Sequence, residues 1–117
     1  MKRPKWASEK RYKIVHQSYS EGIYESPVPV TRRALSEGLD RGLILEYSSG
    51  KVTYSPNGVC EIEGHDCCRG IHAWRTKEDA QKRVSTSGVI VIVYAMKWYG
   101  VGDKCRTQRV WVGEIVE

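Results

Sequence analysis

A run of β-branched residues at 89–94 constrains the fold of this chain more than any other feature. It consists of Val89-Ile90-Val91-Ile92-Val93-Tyr94. Near-continuous runs of this kind are typical of a strand in the middle of a sheet, with both faces covered. With Ala95 and Met96 it forms the longest apolar run, eight residues, which is too short to cross a bilayer. The run therefore predicts the central strand of a folded domain without a membrane span.

Further strand patterns lie on both sides of this run. An alternating segment at 12–16 predicts a first strand, and two prolines keep residues 25–30 extended. Residues 43–47 and 51–54 flank Ser48-Ser49-Gly50, which predicts a hairpin with a three-residue loop. Short strands are also expected at 70–74 and 109–116, with a loop over 99–104 before the last one.

Helix signals are concentrated after Trp74. Thr76 is suited to cap a helix over 77–85, with Asp79 in the position of a weak capping-box partner. Acids occupy the first turn of that segment, and Lys82 and Arg83 its last turn, which suits the helix dipole. Thr31 is suited to cap a second, short helix over 32–37, which Gly38 would end.

These elements predict a small α+β domain. One well-marked helix would pack on a mostly antiparallel sheet of about five strands. The length of 117 residues fits a single domain, expected over 11–117, with a flexible basic arm at 1–10 before it. No apolar stretch follows the N-terminal charges, so we expect no secretory signal and a cytoplasmic location.

The net charge of +5 at pH 7 is concentrated in residues 1–13, where Glu9 is the only acid, and the rest of the chain balances. A short basic arm adds affinity for phosphate backbones, but it also serves as a solubilising tail, and both readings stay open. The arm residues expected to contact nucleic acid are Lys2, Arg3, Lys5, Lys10 and Arg11.

A cluster of potential metal ligands follows residue 59. Zinc takes four nitrogen or sulfur ligands, and this loop holds five candidates within thirteen residues. Their spacing, C-x4-H-x-C-C-x3-H, is not that of zinc ribbons or fingers, so unligated thiols are the alternative. Disulfides are not expected in a chain without a secretory signal. The candidate ligands are Cys60, His65, Cys67, Cys68 and His72.

The corner between the strand at 70–74 and the helix at 77–85 offers a second candidate site. A helix N-terminus and flanking arginines favour phosphate, and Trp74 offers a face on which a base could stack. The alternative is that Thr76 only caps its own helix, Trp74 packs in the core and the arginines are solvated. The predicted ligand-binding residues are Arg69, His72, Trp74, Arg75, Thr76 and Lys77.

Aromatic content is a third feature, because the chain holds four tryptophans and seven tyrosines but no phenylalanine. Such residues are enriched at interfaces. Trp98-Tyr99-Gly100 precedes a predicted loop and could present aromatic rings to a partner or a nucleobase. The same residues could equally fill the core of a small domain.

Catalytic motifs are weak. The sequence holds no G-x-S-x-G, no Walker loop and no H-E-x-x-H. A nucleophile built from Cys60, Cys67 or Cys68 with His65 or His72 would need a lowered thiol pKa and an orienting group. A small transferase or hydrolase is therefore the third hypothesis, and a non-enzymatic protein is favoured.

The order of these motifs is familiar. Tyr12-Lys13-Ile14-Val15 precedes a Leu45-Glu46-Tyr47-x-x-Gly50-Lys51-Val52 segment; then come Gly70-Ile71-His72-Ala73-Trp74, a threonine-capped Glu78-Asp79-Ala80 helix and the β-branched strand. Over about residues 12–116 this pattern resembles a diffuse set of small uncharacterised proteins encoded by tailed phages and related viruses. The basic arm and the loop at 57–69 depart from it. The set has no established shared activity, so no catalytic residue carries over.

What the resemblance implies is a viral accessory protein that blocks or sequesters a host component, including nucleotide signals of antiviral defence. Our first hypothesis is therefore a host-takeover or counter-defence protein that binds an anionic partner, a nucleotide or nucleic acid. The alternative is a zinc-stabilised interaction module that blocks a host protein. A homo-oligomer is left open, and no membrane partner is expected.

Overall fold

The computed structural model describes residues 2–17, 24–25, 45–55, 70–84, 88–100 and 104–116. Among these residues, no helix has the length and apolar character needed to cross a membrane. The elements in chain order are β1 (Glu9–Gln17), β2 (Tyr24–Glu25), β3 (Glu46–Tyr47), β4 (Val52–Tyr54), β5 (Ile71–Trp74), α1 (Lys77–Gln81), β6 (Gly88–Ala95), β7 (Lys104–Thr107) and β8 (Arg109–Val116).

The strands form one antiparallel sheet in the order β3-β2-β1-β6-β8-β4, and β5 pairs with both β1 and β7. The predicted central strand is confirmed, because β6 lies between β1 and β8. Val91, Val93 and Ala95 are fully buried. The opposite face of β6, with Ile92 and Tyr94, is only half-buried, so the expected burial of both faces is not reached in the described part of the chain.

The α+β class is confirmed, but the sheet in the described residues has eight strands and not about five. The least expected of them is β7, part of which falls in the predicted loop at 99–104. Its sequence, Lys-Cys-Arg-Thr, carries little strand signal, and it is a strand because it pairs with β5 from Ile71↔Thr107 to Trp74↔Lys104. Pairing of this kind is tertiary and leaves no local pattern.

The predicted hairpin is wrong in its pairing. β3 and β4 flank the predicted turn, but β3 pairs with β2 and β4 pairs with β8. They are the two ends of the strand order, and the connection at 48–51 brings those ends together. Thr53 Oγ1 donates to Glu46 O over 2.6 Å, and the Gly50 N–H donates to Val112 O over 2.8 Å. The sheet therefore curls until its two ends adjoin.

The predicted helix is present but ends at Gln81, four residues early, so Lys82 and Arg83 follow it. Both the Arg83 and Val84 N–H groups donate to Ala80 O, which tightens and closes the last turn. At the other end, the Asp79 N–H donates to Thr76 Oγ1 over 3.1 Å, which confirms the predicted cap. The second predicted helix, over 32–37, lies outside the described residues.

The N-terminal segment packs against the sheet. β1 begins at Glu9, so the sheet starts before the predicted arm ends at residue 10. A turn closed by the Ala7 N–H on Pro4 O precedes it, and Ala7 is only 1% exposed. Trp6 lies against the Arg109 guanidinium, 3.9 Å from ring centroid to Cζ. Two apolar residues thus anchor a segment whose composition is dominated by charge.

Candidate functional site

The strand-to-helix corner keeps most of its groups occupied. The Arg83 guanidinium lies 4.1 Å from the centroid of the Trp74 ring and covers one face of it. Thr76 Oγ1 accepts from Asp79 N and donates to Asp79 Oδ2, so its hydroxyl is used by its own helix. α1 has only five residues, and Arg75 is exposed while Lys77 is half-buried. Arg69 lies outside the described residues.

His72 is the only predicted zinc ligand within the described residues; Cys60, His65, Cys67 and Cys68 fall outside them. It is buried on β5, and its carbonyl accepts from Lys13 Nζ over 2.8 Å. In the described part of the chain, no three His, Cys, Asp or Glu side chains are grouped so that they could share a metal ion. A zinc site in the loop before β5 stays a prediction.

The predicted nucleic-acid residues of the arm are spread over two regions. Lys10 lies on β1 with its ammonium 5.9 Å from the Tyr12 centroid, and Arg11 lies 6.0 Å from the Trp98 centroid. Lys5 is exposed. Lys2 lines a groove together with Tyr94, and the Arg3 guanidinium lies 4.2 Å from the centroid of the Tyr94 ring. The arm therefore does not form one basic patch.

An open groove of about 600 Å³ lies where β4, β6, β7 and β8 meet. We call it the basic groove, because its described lining carries three cations and no carboxylate. The positive and negative charges of residues 14–117 balance, so the sequence did not indicate this groove. A net charge does not show where the individual charges lie. Its main lining residues are Tyr54, Met96, Lys97, Tyr99, Arg106 and Arg109.

Strand pairing sets the positions of these side chains. Tyr54 is opposite Arg109 in the β4–β8 pair. Tyr99 is opposite Arg106 in an isolated bridge, where the Tyr99 N–H donates to Arg106 O and the Arg106 N–H donates to Tyr99 O. Residues opposite each other in antiparallel strands project to the same face. Each tyrosine therefore has an arginine as its cross-strand neighbour on the same side.

The apolar residues of the basic groove are unusually exposed. Tyr54 is 57% exposed, Tyr99 51% and Met96 61%, and they are the three most exposed large hydrophobic residues of the described chain. The Lys97 ammonium lies 5.2 Å from the Tyr99 centroid. Exposed apolar surface next to cations suits a ligand that is flat and anionic. The tyrosine rings can stack on its flat face, and the cations can neutralise its negative charge.

Trp98 and Tyr99, which the sequence suggested as a possible contact surface, lie in different environments. Trp98 packs against the core, and its Nε1–H donates to Glu9 O over 2.9 Å. Tyr99 faces the groove. Sequence reasoning missed the remaining lining residues, although cations at 97, 106 and 109 bracket the predicted aromatic loop and were the available signal. The missed residues are Tyr54, Met96, Lys97, Arg106 and Arg109.

Chemically, the basic groove offers stacking faces, cations and polar groups. Thr107 and Gln108 complete its lining, and Thr107 Oγ1 donates to Lys97 O over 3.0 Å, which ties the segment after β6 to β7. None of its described lining residues is a histidine or a carboxylate. No protein-family model, curated protein or solved structure matches this chain.

Proposed function

We propose that the protein binds single-stranded nucleic acid in the basic groove, without catalysing a reaction on it. The observation that carries the proposal is the pairing of exposed tyrosines with arginines: Tyr54 beside Arg109 and Tyr99 beside Arg106. Proteins that bind single strands combine a positively charged groove with aromatic rings on which successive bases stack. The groove has both, and its described lining has no carboxylate that would repel phosphates.

The exposed rings favour a single strand over a duplex. In a duplex the bases already stack on one another, so Tyr54 and Tyr99 would gain no stacking partner. In a single strand each base has a free π-face, and stacking on an aromatic side chain contributes about 1–3 kcal/mol per base. A free nucleotide would use only one ring and one cation, so a strand is expected to bind more tightly than its monomer.

The biological setting that we propose is a phage-type accessory protein, in host takeover or counter-defence. It rests on the motif order from Tyr12 to Val116, which resembles that of small proteins of tailed phages. A protein that covers single strands would sequester an intermediate that a host enzyme or defence system needs. This setting is separate from the binding chemistry and does not affect its test.

Fluorescence anisotropy with labelled oligonucleotides tests the proposal. Single-stranded DNA and RNA of about 12 nucleotides should bind at about 50 mM salt and weaken steeply towards about 200 mM, because phosphate contacts release counterions. Arg106→Gln should lower the affinity and the steepness of the salt dependence. Lys82→Gln, which removes an exposed cation after α1, should leave both unchanged.

Three outcomes would overturn the proposal. One is no binding of either strand at low salt. Another is an equal loss of affinity in the Arg106→Gln and Lys82→Gln variants, which would indicate unspecific attraction. The third is a mononucleotide that competes as well as the whole strand does, since the groove would then be a nucleotide pocket and not a site for a strand.

A further inference from the structure

A second open groove, of about 700 Å³, lies on the sheet next to the basic groove. We call it the aromatic groove, because two aromatic rings form its floor. Tyr94 of β6 and Trp111 of β8 are cross-strand partners, with ring centroids 6.0 Å apart and planes inclined by 57°. The other lining residues that matter here are Lys2, Arg3, Gly113 and Glu114.

The two grooves share one face of β8. Val110 and Val112 are fully buried, so Arg109 and Trp111, which alternate with them, project to the opposite, outer face. Arg109 lines the basic groove, whereas Trp111 and Gly113 line the aromatic groove. Residues two apart along a strand are separated by roughly 7 Å. The grooves are therefore neighbours along a single strand.

The neighbouring strands carry the same outer face across. On β4, Tyr54 is opposite Arg109 and Val52 is opposite Trp111, and both side chains are exposed. On β6, Tyr94 is opposite Trp111, and Met96 follows one residue after β6 ends and lines the basic groove. Aromatic and apolar side chains thus continue from one groove to the other without a change of face.

The N-terminal segment crosses this face and adds cations to it. Its Trp6 lies on the Arg109 guanidinium at 3.9 Å, at the basic groove. Three residues earlier, the Arg3 guanidinium lies 4.2 Å from the Tyr94 centroid, in the aromatic groove. Lys2 also lines the aromatic groove, where Glu114 is the only described carboxylate. Positive charge therefore predominates in both grooves.

Gly113 shapes the aromatic groove. A Cβ atom at this position would lie 2.9 Å from Tyr94 Cε2 and 3.1 Å from Ile92 O. The missing side chain makes room for the Tyr94 ring next to β8, and the Arg3 guanidinium lies over that ring. The aromatic groove therefore offers an aromatic ring and a guanidinium, the same kinds of group that line the basic groove in Tyr99 and Arg106.

We infer that the two grooves form one binding track for a single strand along the outer face of β8, beside the N-terminal segment that lies on this face. The inference rests on the proposed function and extends it. The basic groove binds the first nucleotides. In the aromatic groove Arg3 moves from the face of the Tyr94 ring to a phosphate, and a base of the same strand stacks on the ring in its place. Each groove then contributes separately, so a strand too short to reach from one to the other gains nothing from the aromatic groove.

A length series tests this inference. Oligothymidylates of about 2 nucleotides, which match the two tyrosines of the basic groove, and of about 12 nucleotides would be titrated against the wild-type protein, Tyr94→Ala and Arg3→Gln. Each variant should weaken binding of the long strand by about 5- to 150-fold, the change in affinity expected when a stacked base or its cation is lost, and leave the affinity for the short strand unaffected. Tyr99→Ala should weaken both strands. Lys82→Gln is the matched control for Arg3→Gln and should change neither.

The outcomes separate the two proposals. If no strand of either length binds, the proposed function fails, and the track fails with it. If the wild type binds but Arg3→Gln and Tyr94→Ala leave the long strand's affinity unchanged, the track is overturned while the basic groove stands. If Tyr94→Ala disturbs the fold, Arg3→Gln still tests the track. Arg3 is exposed on the N-terminal segment and precedes the residues of β1 that pair with the sheet.

Discussion

Tyr99 and Arg106 hold each other in place through two backbone hydrogen bonds, 2.8 and 2.6 Å long, in a bridge beyond the end of β6. The bridge fixes the backbone of a residue whose ring is half-exposed. A ring presented on a fixed backbone loses little conformational freedom when a ligand stacks on it. The pair thus combines a stacking face and a cation that are both positioned before any ligand arrives.

Tyr99→Ala is expected to weaken single-strand binding by about 5- to 150-fold, the equivalent of about 1–3 kcal/mol for a stacked base. Tyr99→Phe should keep most of the affinity, because it retains the ring and loses only the hydroxyl. Anisotropy titrations measure both. The melting temperature should change little in either variant, since Tyr99 is 51% exposed. If Phe is as damaging as Ala, the hydroxyl and not the ring makes the contact.

The parts of the fold that could be predicted are those that local chemistry determines. β6 could be located because its β-branched run suits a buried strand, and the Thr76 cap because its partner Asp79 is three residues away. Pairing is different. The segments of β3 and β4 look like a hairpin, yet each finds a partner distant in the chain. Only the curl of the whole sheet decides which partner is available.

The candidate site could be predicted only in part, for a related reason. Tyr99 was recognisable because aromatic residues before a loop are suited to face solvent. Tyr54, Arg106 and Arg109 come from three different segments, and the strand register alone brings them together. The balanced charge outside the first thirteen residues concealed them, because acids elsewhere in the sequence cancel the cations in the sum but not at the groove.

Thr76→Ala distinguishes the basic groove from the strand-to-helix corner. The substitution removes the acceptor for the Asp79 N–H and should lower the free energy of unfolding by about 1 kcal/mol. Oligonucleotide affinity should not change, because Thr76 is not part of either groove. Thr76→Ser should recover most of the stability. Urea denaturation and anisotropy are the measurements, and a clear loss of affinity in Thr76→Ala would return the anion site to the corner.

Gly70→Ala is expected to be strongly destabilising. Gly70 has a φ of +108°, and a Cβ atom there would lie 2.5 Å from the Thr107 carbonyl oxygen, a backbone atom of β7. The unfavourable φ of an alanine at this position and the clash of its Cβ with the backbone both raise the energy of the folded state. The free energy of unfolding should therefore fall by about 3 kcal/mol. Gln108→Ala, at an exposed neighbour of Thr107, should stay within about 0.5 kcal/mol of wild type. Equal stability of the two variants in urea would contradict this role of Gly70.

The contribution of the arm is measured better by short truncation than by removing all of it. Deleting residues 1–10 also removes buried Ala7 and the first two residues of β1, so it should destabilise the sheet. Deleting residues 1–3 removes Lys2 and Arg3 alone among the cations. The slope of log affinity against log salt should then flatten by about 0.7 for each phosphate that these cations no longer neutralise. An unchanged slope for a long strand would exclude both residues from the track.

Gly113→Ala connects stability with binding at the aromatic groove. The new Cβ would overlap Tyr94 Cε2 and would also lie 3.1 Å from the Ile92 carbonyl oxygen, so the tyrosine ring must move away from β8. Overpacking of this kind lowers the free energy of unfolding by about 1–3 kcal/mol. Because the displaced ring no longer presents its face to a base in the aromatic groove, the long strand should bind with nearly the affinity of the short one.

The neighbouring exposed residue provides the control for this variant. Glu114→Ala leaves the Tyr94 ring where it is and removes the aromatic groove's only described carboxylate. Its stability should stay within about 0.5 kcal/mol of wild type, and the long strand should bind somewhat more tightly, because one repulsion of phosphate is gone. Gly113→Ala could instead lower the stability but leave the ratio of long-strand to short-strand affinity as in the wild type. That result would show that the position of the Tyr94 ring contributes nothing to binding.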